Sequence, residues 1–107
     1  MTGDDRDVGF IVMIRFAGDP KKAKQVLDDD PQLDQAVRKG IYEHGMICCR
    51  RLVGDGEFVD IDEWASEEDR NAFVAAAGPA LAEWTSRAGI AAQETRLWRP
   101  AAPDEVF

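Results

Sequence analysis

The run Gly9–Phe16 carries apolar side chains at both parities. Phe10, Val12, Ile14 and Phe16 fall on one side of an extended chain, and Ile11 and Met13 on the other. This pattern predicts a strand buried on both faces. The period then changes. Asp19-Pro20 is a helix start, with Asp as cap and Pro at the first helical position. Ala23, Val26 and Leu27 follow at helical spacing. Asp28-Asp29-Asp30-Pro31 interrupts this stripe and restarts it, and Leu33, Ala36, Val37 and Ile41 continue it towards His44-Gly45. The expectation is one helical region in two pieces.

Met46–Val53 and Glu57–Trp64 read as two strands joined by the turn Gly54-Asp55-Gly56, since Asp-Gly suits tight hairpins. In the second of these strands Val59 and Ile61 share one face. Phe58, Asp60, Asp62 and Trp64 share the other. Val59 and Ile61 are expected on the helix-covered side, which would send the four others towards the dimer side or the cavity. Ser66, followed by Asp69, opens a second helix with the stripe Phe73, Ala76, Ala77, Ala80, Leu81 and Trp84. Gly78-Pro79 inside it should kink or split it, and Gly89 should cap it. Ala91–Arg99 reads as a last strand stopped by Pro100.

The order β-α-β-β-α-β predicts an α+β, ferredoxin-like split βαβ domain with a four-stranded antiparallel sheet and both helices on one face. Residues 1–107 are read as one such domain, with its core at 9–99 and a tail at 100–107. Because the first strand is apolar on both sides, something must cover the bare face. A second copy is the expected cover, giving a homodimer.

Composition narrows the partners. The formal net charge of −8 opposes binding to a phosphate backbone or an anionic membrane surface, so neither nucleic acid nor membrane is expected. No apolar run approaches a bilayer span. Met1–Asp7 is polar and acidic and has no signal-peptide pattern, which places the chain in the cytoplasm. The adjacent Cys48 and Cys49 fit two reduced structural thiols better than a metal or redox motif. His44 reads as a helix-end residue, and Asp28-Asp29-Asp30 and the Glu63, Glu67, Glu68, Asp69 group as solvated helix-terminal charge. Trp84 reads as helix-stripe core. No metal-ligand cluster, nucleophile triad or phosphate loop is seen, so no metal and no cofactor is expected.

The hairpin from Gly45-Met46 to Glu63-Trp64, followed by Trp64-Ala65-Ser66-Glu67-Glu68 and a helix bearing Phe73, resembles the dimeric α+β-barrel group, and within it the antibiotic biosynthesis monooxygenase family. That family typically ends its third strand in Trp, then a short cap and an acidic helix start. The resemblance spans about residues 9–99 and implies two facing sheets with a cavity in each subunit. Where some members that oxidise aromatic polyketides have Asn four residues before the Trp, this chain has Asp60. The haem-degrading branch uses a His on the second helix and an Asn on the first strand. Here the one His is His44 and the one Asn is Asn71, so that branch does not fit.

The candidate site combines Asp60, Asp62 and Arg96 as catalytic groups with Phe58, Trp64, Trp98 and Arg50 as substrate-binding groups. A carboxylate would accept a proton, a guanidinium would stabilise an oxyanion, and indoles would stack on flat rings and exclude water. Arg50 shares a parity with Cys48, and Arg96 with Trp98; which way these pairs face is left open by the sequence. The resemblance implies a cofactor-independent monooxygenase acting on an aromatic or polyketide-type small molecule. A cyclase or isomerase using the same acid–base groups, and a non-catalytic small-ligand-binding dimer, are the alternatives. The bland counterpart is an interface ion-pair network with the indoles as dimer core.

Overall fold

The computed structural model describes residues 7–107. The stretch in which no signal-peptide pattern was read lies, as far as Arg6, outside the described residues. Four strands, β1 (Phe10–Ala17), β2 (Met46–Val53), β3 (Glu57–Trp64) and β4 (Ala91–Trp98), form one sheet in the order β2-β3-β1-β4. Every neighbouring pair is antiparallel. With its helical connections this is the ferredoxin-like α+β arrangement expected from the element order.

The first crossover is helical in pieces. Asp19 caps α1 (Pro20–Asp28) by accepting from the Lys21 N–H at 2.9 Å. Asp30 caps α2 (Pro31–Asp34) by accepting from the Leu33 N–H at 3.1 Å. The interruption at Asp28-Asp29-Asp30-Pro31 is therefore a cap and a restart. The chain continues through a π-helical turn (Gln35–Lys39) into α3 (Gly40–Glu43). The second crossover, α4 (Glu67–Ala88), runs unbroken through Pro79. It is not split there; the ring costs one helical N–H donor, and the rest of the twenty-two-residue helix holds the segment together. Ser66 Oγ accepts from the Asp69 N–H at 3.1 Å at its start. Gly89 ends it with φ of 65°, a left-handed conformation suited to glycine.

The helices cover one face of the sheet. Phe16 and Phe58 from the strands pack with Ala23, Leu27, Leu33, Val37, Trp84 and Ala88 from the helices. A second cluster joins Phe10, Val12, Met46 and Trp64 to Phe73 and Ala77. The facing expected for β3 is thus reversed: Phe58, Asp60, Asp62 and Trp64 are buried beneath the helices, and Val59 and Ile61 look out from the other face, half-buried. The apolar pair was a poor guide because both faces of this sheet carry apolar side chains.

Beyond β4, Pro103–Glu105 forms a short 3-10 turn folded back on Arg99, whose guanidinium grips the Glu105 carboxylate at 2.6 and 2.7 Å. Val106 and Phe107 are exposed. Among the described residues no helix is long and apolar enough to cross a membrane.

Candidate functional site

The register of the hairpin builds the site. Asp55-Gly56 turns the chain so that Gly54 N–H donates to the Glu57 carbonyl at 2.9 Å. Val53 then lies opposite Phe58, Arg51 opposite Asp60, and Cys49 opposite Asp62. Partners across an antiparallel pair share a face, so Arg51 and Cys49 join the two aspartates beneath the helices. A register shift between Met46 and Cys48 brings Met46 opposite Trp64. On the other side of β3, Ile14 lies opposite Asp60 and Val12 opposite Asp62, with Thr95 of β4 beside Ile14.

Between this face and the helices lies a cavity of about 510 Å³. That volume is within the range of small-molecule pockets. Val12, Ile14, Phe16, Leu27, Val37, Met46, Phe73 and Leu81 give it a mainly apolar wall. Arg51, Asp60, Asp62, Tyr42, Cys49 and Arg70 add polar groups.

The two aspartates of the cavity have different partners. Asp60, 7% exposed, receives two charge-assisted hydrogen bonds from Arg51, Nε at 2.6 Å and a terminal nitrogen at 2.8 Å. The Arg51 guanidinium also lies 4.5 Å from the centre of the Phe58 ring, a cation–π arrangement that fixes its plane. Asp62, 8% exposed, has no ion-pair partner of its own among the described residues. Burial pushes its carboxyl up to about 6; the neighbouring Cys49 thiol opposes that shift, and the Asp60 charge adds to it. In turn, burial and the Asp62 carboxylate push the Cys49 thiol far up, so it stays protonated.

Two tryptophans line the same cavity. The Trp84 indole N–H donates to the Ala23 carbonyl at 2.8 Å. Trp64 is 1% exposed, and its buried indole nitrogen has no hydrogen-bond partner among the described residues. A buried donor left unmade costs about 1–3 kcal/mol, and Trp64 carries this unspent donor at the wall of the cavity.

Of the seven sequence-derived candidates the structure brings three, Asp60, Asp62 and Trp64, to the cavity wall; Phe58 shares their face but is packed behind it, stacked on Phe16 with ring centres 5.0 Å apart. The structure places Arg50 on the opposite face of β2, opposite Ile61. Arg96 and Trp98 also leave the site, because they lie opposite Met13 and Ile11 on β1. Arg96 binds Glu94 at 2.7 Å, and Trp98 is 49% exposed. Arg51, Tyr42 and Arg70 were missed. The Asp55-Gly56 turn was the usable signal for Arg51, since a two-residue loop puts residue 51 across from residue 60. Among the described residues no group of three His, Cys, Asp or Glu side chains is placed to hold a metal ion.

No family model matches the chain, and no curated sequence matches it. Solved structures do. The cofactor-independent oxygenase SnoaB from Streptomyces nogalater superposes with a TM-score of 0.61 at 15% identity, over 91% of this chain and 99% of that one. The monooxygenase from the gene ActVA-Orf6 of Streptomyces coelicolor, in complex with the ligand nanaomycin D, gives 0.59 at 16% identity over 89% of each chain. An antibiotic biosynthesis monooxygenase gives 0.53 at 18% identity, over 87% of this chain and 97% of that one. The chain has the fold of the antibiotic biosynthesis monooxygenases. Among these relatives of low identity it is the fold that is shared; its cavity must be read from its own residues.

Proposed function

We propose that this chain is a cofactor-independent monooxygenase acting on an aromatic, polyketide-type small molecule, working as a cytoplasmic homodimer. Asp62 carries the reading. It is a buried carboxyl in a mainly apolar cavity, pushed up to about 6, where it can accept and return a proton near neutrality. Trp64 lines the same cavity with an unspent indole N–H, and a small shift of the ring would let it donate to a developing oxyanion. Asp60 is engaged by Arg51 and serves to hold that guanidinium in place. The fold shared with oxygenases supports the reading, and the substrate class rests on the apolar, aromatic wall.

An anthrone-type substrate illustrates the chemistry. Asp62 takes a proton from it, leaving an anion electron-rich enough to pass one electron to molecular oxygen. Recombination of the radical pair forms a carbon–oxygen bond and a peroxide, which Asp62 reprotonates. Loss of the second proton from that carbon, with cleavage of the oxygen–oxygen bond, leaves a new carbonyl and one water. The substrate supplies all four electrons; one oxygen atom stays in the product and the other leaves as water.

Oxygen uptake with a dihydroxyanthrone is the test. Wild type should exceed spontaneous oxidation, and Asp62→Asn should lose about 10²–10⁴-fold, the usual contribution of a general base. Turnover without oxygen uptake would instead make the chain a cyclase or isomerase. Binding without turnover would make it a small-ligand carrier.

A further inference from the structure

Four cationic side chains border the cavity, and three of them are neutralised. Lys24 binds Asp28 at 2.7 Å. Arg38 binds Asp34 at 2.6 Å and Asp28 at 2.8 Å. Arg51 is held by Asp60. Arg70, half-buried in the first turns of α4, is the exception. Among the described residues its guanidinium donates one hydrogen bond, to the side-chain oxygen of Asn71 at 3.3 Å. Among the described residues no carboxylate stands within ion-pair distance of it. Glu67, Glu68 and Asp69 precede it on the same turn, yet none engages it.

We infer that Arg70, with the edge of the Arg51 guanidinium that Asp60 leaves free, forms a subsite for a carboxylate carried by the aromatic ligand. Asp60 takes the Nε and one terminal nitrogen of Arg51, so the remaining terminal nitrogen is unspent. Arg70 lies near enough to Asp62 for its charge to act on that carboxyl. The two guanidiniums therefore border the same polar part of the cavity, where the Tyr42 ring is also found. A cation beside a helix N-terminus is unfavourable against the helix dipole, and an anion placed between α4 and the sheet relieves that. A planar monoanion fits best, since guanidinium offers parallel donors to a carboxylate. The nearby Asp60 and Asp62 would repel a dianion such as a phosphate monoester.

This inference rests on the proposed aromatic-ligand cavity, and a binding measurement separates the two. Tryptophan fluorescence titration at neutral pH would compare an anthraquinone carboxylate with its neutral carboxamide. Wild type should bind the carboxylate about ten-fold tighter or more, the range of a charge-assisted hydrogen bond. Arg70→Gln should bring the two affinities together by weakening the carboxylate far more than the carboxamide, and Arg70→Lys should restore part of the preference. Equal affinities in wild type would overturn the carboxylate subsite and leave the aromatic cavity standing. A preference that survives in Arg70→Gln would overturn the role of Arg70. Binding of neither compound would overturn the subsite and the aromatic-ligand reading together. The wild-type ratio decides even if a variant folds poorly.

Discussion

The two faces of the sheet invert ordinary expectation in opposite directions. The helix-covered face, where water is scarce, holds Asp60 and Asp62 with Arg51. On the uncovered face, Ile11, Met13, Val59 and Ile61 are half-buried, and Leu52 and Trp98 are exposed. Arg15, Glu57, Glu94 and Arg96 edge that face with ion pairs of 2.7–3.8 Å. Buried charge and exposed apolar surface are the two observations that ordinary folding does not produce for free. The first marks a place for chemistry. The second marks a place for a partner, and a second copy of the sheet is the partner we propose.

The comparison is sharpened most by the covered face. Trp84→Ala should cost about 3–5 kcal/mol in chemical denaturation, as large-to-small core changes do. It removes the indole wedged against Phe16 and leaves the Ala23 carbonyl without its donor. Trp64→Ala should cost less by about the 0.5–1.5 kcal/mol of one hydrogen bond, because its N–H has no bond to lose, and should also weaken aromatic-ligand binding. Equal losses, with no ligand bound by wild type, would make both residues plain core.

Asp62→Asn tests the same face through pH. The carboxyl titrates at about 6 in the folded chain against an ordinary value of 3.8. A raised folded value stabilises the fold at pH below 3.8, and that contribution is lost as pH rises through 6. Above 6 the charged Asp62 should cost up to about 3 kcal/mol. Asn carries no such charge. The variant should therefore gain on wild type between pH 4 and 6, with the difference level above that. Urea denaturation across this window would show it; a gap that does not change with pH would mean that Asp62 titrates normally.

The open face should respond in assembly and not in chemistry. Ile61→Lys places a charge at the centre of the half-buried apolar patch and should convert a dimer to monomer with the smallest effect on the fold itself. Light scattering at micromolar concentration checks this. A wild-type chain that is already a folded monomer would remove the reason for the exposed patch.

Much of this was legible in the chain. Both hairpin strands run over the residues expected, because β-forming runs bounded by Gly-Asp-Gly leave little choice. The break at Asp28–Pro31 was legible as well, since Asp-Pro is both a stop and a start, whereas the helix is not split at Gly78-Pro79. The facing of the strands was not. Alternation says that two sets of side chains point apart, but hydrophobicity says which set is covered only when one face stays wet. With apolar residues on both faces, Val59 and Ile61 looked like helix-covered core, and the charged set looked bound for the dimer side or a cavity there. Arg50 was taken for the site, and the hairpin register puts Arg51 there instead.

The sequence by itself determined the elements, their order and hence the ferredoxin-like sheet, because these follow from local periodicity and capping chemistry. Tertiary structure alone decided where the site is. Helices that settle on one face of the sheet leave a cavity there, and burial in it moves Asp62 to about 6 while Asp60 is held by Arg51. Two aspartates two residues apart are chemically identical in the chain, and they differ only once a neighbouring strand supplies a guanidinium to one and not to the other.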